Sequence, residues 1–106
     1  MSRQYRVIAS PSVFIDLASI FEHIERWTED HALAARTVDQ IREYIGGLRD
    51  TPHRGTRRDD LRPGLRIVTF RKRTAIALKI DETARTVTIL RVFYGGQDYE
   101  TALRAP

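Results

Sequence analysis

Five residues in the second half of the chain have side chains suited to polyanion chemistry: Arg66, Arg73, Arg91, Tyr94 and Tyr99. An arginine guanidinium is a rigid fork of donors that matches phosphate and carboxylate, and a tyrosine can stack on a base or donate a proton. Brought together, such a set would bind RNA phosphates or clamp an acidic peptide. The plainer alternative is that Arg66 and Arg91 pair with helix carboxylates while the tyrosines roof the edge of a core. A metal-free ribonuclease demands more than either. It must activate the 2′-hydroxyl and stabilise a pentacoordinate phosphate, which takes several convergent cations and a proton donor or acceptor.

Other chemistries find little support. There is no cysteine, which removes disulfides, thiol nucleophiles and cysteine-ligated zinc. His23, His31 and His53 are too scattered to suggest a metal site. His23 is expected beside the apolar stripe of a helix, in a structural role. No Gly-rich phosphate loop occurs: Gly46-Gly47 falls near a helix end, and Gly95-Gly96 follows a strand with no helix behind it. The neighbouring acids Glu29-Asp30 and Asp59-Asp60 fall in expected turns, where solvation or capping accounts for them. Neither a metal nor a cofactor is expected.

The elements that must position the arginines follow from periodicity. Gln4 to Ala9 reads as a short strand, and Ser10-Pro11-Ser12 breaks it and offers a helix start with a serine cap. Phe14, Leu17, Ala18, Phe21, Ile24 and Trp27 then form an apolar stripe on a helix ending near Thr28. A second helix, capped by Asp30, carries Ala34, Val38, Ile41, Ile45 and Leu48 and exits at Thr51-Pro52. Two such helices joined by a few residues should form an antiparallel hairpin on a flat surface. Leu65–Phe70, Thr74–Ile80 and Thr86–Tyr94, rich in β-branched and aromatic residues, supply it as an antiparallel meander. The expected fold is α+β, in the order β-α-α-β-β-β, with the hairpin on a small, mainly antiparallel curved sheet. Residues 1–106 are expected to form one domain.

Net charge is +4, but its distribution matters more. Between Arg49 and Arg73 nine basic residues face three acidic ones, so the rest of the chain is slightly acidic. A concentrated basic region favours a polyanion or an acidic partner surface, or else it is a solvated loop and sheet edge. No apolar run reaches the roughly 18 residues of a membrane span, and the basic N-terminus has no apolar segment behind it. A cytoplasmic location is therefore expected, and no membrane partner.

In order and spacing these features resemble the RelE/ParE superfamily of toxins from type II toxin–antitoxin systems, over nearly the whole chain. The resemblance rests on the opening strand with Ser10-Pro11-Ser12, Asp16-Leu17-Ala18-Ser19-Ile20, and Ala35 with Ile41 through Leu48. It continues through Thr51-Pro52-His53-Arg54-Gly55, Gly64-Leu65-Arg66 and the ending Val87 to Asp98. RelE-like members are ribosome-dependent endoribonucleases that cut messenger RNA; ParE-like members bind DNA gyrase and stall it with the DNA cleaved. Both are silenced by an antitoxin. On the RelE pattern Arg73 falls near the catalytic arginine, and Tyr99, with a shifted C-terminus, matches the tyrosine. The arginine expected after the last strand has no counterpart, since Gly95-Gly96-Gln97 stand there. Tyr94 occupies the place where ParE-like endings carry a histidine, and Ile89-Leu90-Arg91-Val92 leans towards ParE.

The resemblance thus implies a gyrase inhibitor neutralised by a cognate antitoxin, with operator DNA bound only through that antitoxin. Arg66, Arg73, Arg91 and Tyr94, with Trp27, are expected to face the target or the antitoxin. The alternatives are a ribonuclease acting on ribosome and messenger RNA through Arg73, Tyr94 and Tyr99, and an inactive binding module of the same fold.

Overall fold

The computed structural model describes residues 4–104. Its elements are β1 (Arg6–Ala9), α1 (Pro11–Thr28), α2 (His31–Gly47), β2 (Thr56–Arg57), β3 (Leu65–Phe70), β4 (Thr74–Asp81), β5 (Thr86–Tyr94) and α3 (Tyr99–Leu103). The strands form one sheet in the order β1-β5-β4-β3-β2. Only the β1–β5 pair is parallel; β2 to β5 run antiparallel. This is the expected α+β arrangement of a helical hairpin on a mainly antiparallel sheet. The two-residue β2 and the single-turn α3 are additions, both too short to show a period.

The hairpin turns on two residues. Glu29 takes a left-handed backbone (φ 54°) and closes α1 onto the Glu25 carbonyl, and the Asp30 carboxylate caps α2 by accepting the Leu33 N–H at 2.9 Å. Pro11 opens α1 as expected, but Ser10 does not cap it through its side chain. Its hydroxyl instead donates to the Leu90 carbonyl at 2.9 Å. Among the described residues no helix is long and apolar enough to cross a membrane.

The stripe on α2 is buried as read: Ala34, Val38, Ile41, Ile45 and Leu48 all face the core. The stripe on α1 is only partly as expected. Leu17 and Ile24 are buried and Phe21 packs against the core, but the helix is turned so that Val13, Asp16 and Ile20 replace Phe14, Ala18 and Trp27 on the inward face. Val13, Asp16, Leu17, Ile20 and Ile24 point inward, while Phe14 and Trp27 stand 60% and 74% exposed. The two candidate faces overlap at Leu17 and Ile24, and α1 carries apolar residues on both sides of that overlap. The buried face is settled by polar groups on β5, described below.

Two cores flank the sheet. The larger fills the space between the hairpin and the inner face, around Ile41, Ile76, Leu78, Val87 and Ile89. The smaller lies on the opposite face, where Leu61 and Leu103 cover Leu65, Ile67, Ala77 and Phe93. A bulge on β5 links them. Arg91 pairs with Ala77 and Ile89 with Leu78, so Leu90 is the extra residue. Ile89 and Val92, three apart, therefore both reach the larger core, whereas Phe93 enters the smaller one. Gly55 (φ +87°) precedes β2, and a Cβ there would lie 2.3 Å from the Ile67 carbonyl oxygen, so no larger residue fits without displacing β3.

Candidate functional site

Past Ile89, β5 outruns the four-residue β1, and its outer edge is taken over by the start of α1. The Leu90 carbonyl is met by the Ser10 hydroxyl, and the Val92 N–H donates to Asp16 Oδ2 at 2.8 Å. Arg91 adds a two-pronged ion pair to the same carboxylate, Nε to Oδ2 at 2.8 Å and Nη2 to Oδ1 at 3.0 Å. These bonds raise the guanidinium pKa further against the opposing effect of desolvation. Asp16 is thus buried because a sheet edge needs an acceptor there, and this fixes which face of α1 turns inward. Arg91 also lies 4.9 Å over the Phe93 ring, so the ring as well as the carboxylate holds its guanidinium. The helix-carboxylate pairing considered for Arg91 is what the chain adopts.

Arg66 behaves differently. It is half-buried on β3 and its Nη1 donates to the His53 carbonyl at 3.3 Å, not to a helix carboxylate. Nearby, the His53 ring meets Glu82 at 2.7 Å and Tyr5 donates its hydroxyl to the same carboxylate. The Tyr5 hydrogen bond, and then that of His53, hold the Glu82 carboxyl below its usual range; the same bond raises the Tyr5 phenol. The residue before β1, the loop after α2 and the β4–β5 turn are tied together there.

Arg73, Tyr94 and Tyr99 come together. Arg73 sits exposed in the β3–β4 turn, where its carbonyl accepts the Gly95 N–H at 2.9 Å. With Lys72, Tyr94, Gln97 and Tyr99 it lines a shallow cleft of about 120 Å³. Tyr99 packs against Phe93 at 6.0 Å between ring centres and so belongs partly to the smaller core. No carboxylate or imidazole lines the cleft. Trp27 lies in the last turn of α1, one helical turn from His23, with 6.1 Å between their rings. His23, expected beside the apolar stripe in a structural role, is exposed, and its ring meets Tyr94 edge-on at 6.3 Å. The rotation of α1 brings it there, and sequence reasoning missed the His23–Tyr94 contact. Among the described residues no three histidines or carboxylates are placed to hold a metal ion.

A family model described as the ParE toxin of type II toxin–antitoxin systems, parDE, matches residues 7–99. The chain belongs to the ParE toxin family. The family's fold is also visible in solved structures. One similar chain comes from the chromosomal ParDE toxin–antitoxin system of P. aeruginosa, with a TM-score of 0.73, 20% identity, and coverage of 89% of this chain and 99% of that one. Another comes from the RelBE2 toxin–antitoxin complex of Mycobacterium tuberculosis, with a TM-score of 0.63, 22% identity, and coverage of 86% and 98%. At these identities the shared property is the fold. No match was found among curated proteins.

Proposed function

We propose that this ParE-family toxin inhibits DNA gyrase, holding the enzyme with its DNA cleaved, and that a cognate antitoxin neutralises it in the cytoplasm. The observation that carries this reading is the fate of Arg91. A phosphate-cleaving site needs cations that converge, and the half-buried guanidinium on the last strand is committed to Asp16. No imidazole or carboxylate lines the cleft at Arg73, and His23, which meets the Tyr94 ring edge-on, stands outside that lining. A poison needs only a complementary surface. Arg73, Tyr94 and Trp27 would lie on that surface, with Arg66 and Arg91 bracing the loop and helix beneath it. The family assignment, and the toxin–antitoxin complexes in which the similar folds occur, support an antitoxin partner.

The test is a gyrase assay with the purified chain, reading supercoiling and cleaved plasmid together. Dose-dependent cleaved DNA is expected; undisturbed supercoiling and no cleaved product sink the reading. A ribosome-dependent ribonuclease is the second reading, favoured by one observation, that Arg73, Tyr94 and Tyr99 line a single cleft. Codon-phased cuts in a translation extract would establish it in place of the first.

A further inference from the structure

Two clefts run into one another along the side of α2, and a third adjoins them at the β3–β4 turn, on the face of the smaller core. The largest, about 440 Å³, is bordered by Tyr44, Arg54, Phe70 and Arg71. The next, about 280 Å³, shares Gln40, Phe70 and Arg71 with it and adds Arg36, Arg73 and Tyr94. Arg73 and Tyr94 then lead into the cleft at Tyr99. A single carboxylate, Glu43, borders this path. Among the described residues Arg36, Arg54, Lys72 and Arg73 have no ion-pair partner, whereas Arg57 and Arg91 each have one and Arg58 has two. Arg71 is steered rather than neutralised: it donates to Gln40 at 3.0 Å and lies 5.2 Å over the Phe70 ring. Arg71 and Lys72 both hold left-handed backbone, at φ 53° and 63°, where glycine or asparagine would sit with less strain. At the Tyr94 end the path meets the open rings of His23 and Trp27.

A cationic track ending in exposed aromatic rings is the physical signature of single-strand recognition, with phosphates on the cations and bases stacked on the rings. We infer that this groove binds single-stranded DNA, its backbone along Arg54, Arg71, Arg36 and Arg73 and its bases on Tyr94 and Trp27. An acidic peptide is the poorer fit. The largest aromatic pair on the path, Tyr44 and Phe70, is already stacked on itself at 4.5 Å and opens no pocket for peptide side chains. A duplex would keep its bases from the rings. The choice of DNA over RNA rests on the gyrase reading.

Trp27 is the only tryptophan of the chain, so its fluorescence reports on the site directly. The full chain, without gyrase, is titrated with a thymidine oligonucleotide of about 12 nucleotides. Saturable quenching is expected, weakening with salt by about 0.7 log units per log unit for each phosphate contact. The double variant Arg71→Ala/Arg73→Ala should flatten that slope by about 1.4. The pair Arg42→Ala/Arg49→Ala, equal in charge change but off the path, should leave it near the parent value. Trp27→Ala, followed with a labelled oligonucleotide, should bind about tenfold more weakly. Absence of binding, equal losses in the two double variants, or tighter binding of RNA or duplex each overturns the proposal. Gyrase poisoning without strand binding removes the groove and leaves the gyrase reading; strand binding without poisoning does the reverse.

Discussion

The two faces of the sheet are closed by different physics. On the inner face two helices of 18 and 17 residues cover a continuous core, and the buried Asp16 carboxylate accepts hydrogen bonds from both an arginine and a backbone N–H. On the outer face a five-residue helix and the loop over 58–64 cover a smaller core, anchored chiefly by surface charges. Arg58 spans Asp60 and Glu100 at 2.8 and 2.6 Å, and Arg62 donates to the Leu103 carbonyl at 2.7 Å. Ion pairs so open to solvent are worth little, while a buried carboxylate is costly to disturb. The inner face should therefore set global stability, and the outer cover should open more readily.

Paired cavity variants give the largest test of this difference. Ile41→Ala empties a site with no exposure between the hairpin and the sheet and should cost about 4 kcal/mol. Leu103→Ala, under a cover that can settle into the gap, should cost about 2 kcal/mol. Denaturant unfolding measures both, and equal losses would mean that the two cores are one cooperative unit.

Asp16→Ala comes next. It leaves Arg91 without its partner and Val92 N–H without an acceptor, so about 3 kcal/mol should be lost. Arg91 is partly solvated and can turn to water, which keeps the figure at the low end. An unfolding midpoint close to the parent's would show that the Asp16 bonds add little, and that apolar packing alone selects the inward face of α1.

How far the sequence anticipates this arrangement depends on the kind of signal. Helix α2 and strands β3 to β5 announce themselves by local period; the structure places the strands within a residue of the expected bounds, while α2 ends at Gly47, short of the expected exit at Thr51-Pro52. Helix α1 is apolar on two sides, so period alone cannot choose between the Phe14 and Val13 stripes. The clue was Asp16, three residues after Val13 and one before Leu17, a carboxylate within the alternative stripe. Its partners on β5 are 75 and 76 residues away, beyond any local pattern. The outer cover was hidden for the same reason: α3 has one turn, and its ties to Arg58 and Arg62 span 42 and 41 residues. Of the site, the grouping of Arg73, Tyr94 and Tyr99 was suggested by family resemblance and is present as a cleft. The bond from Arg66 to the His53 carbonyl, and the approach of His23 to Tyr94, depend on backbone placement that no residue type discloses.

Acid should separate the two faces most finely. Three carboxylates in or beside the outer cover are held below the ordinary value of 3.8: Asp59 by the Gly64 N–H and then Arg57, Asp60 by Arg58, and Asp98 by Thr101. A carboxyl whose pKa is depressed by folding stabilises the fold fully above its unfolded value. That contribution fades as pH falls through the lower folded value. All three are exposed, so each effect is small and local, confined to pH below about 4. Hydrogen exchange corrected for its intrinsic pH dependence should then show Gly64 and Thr101, whose amides bond to Asp59 and Asp98, losing protection first. The Val92 amide, held by Asp16 inside the larger core, should keep its protection over the same range. Loss of all three amides together would mean that the outer cover opens only with the whole fold, and the two faces would then have to be treated as one.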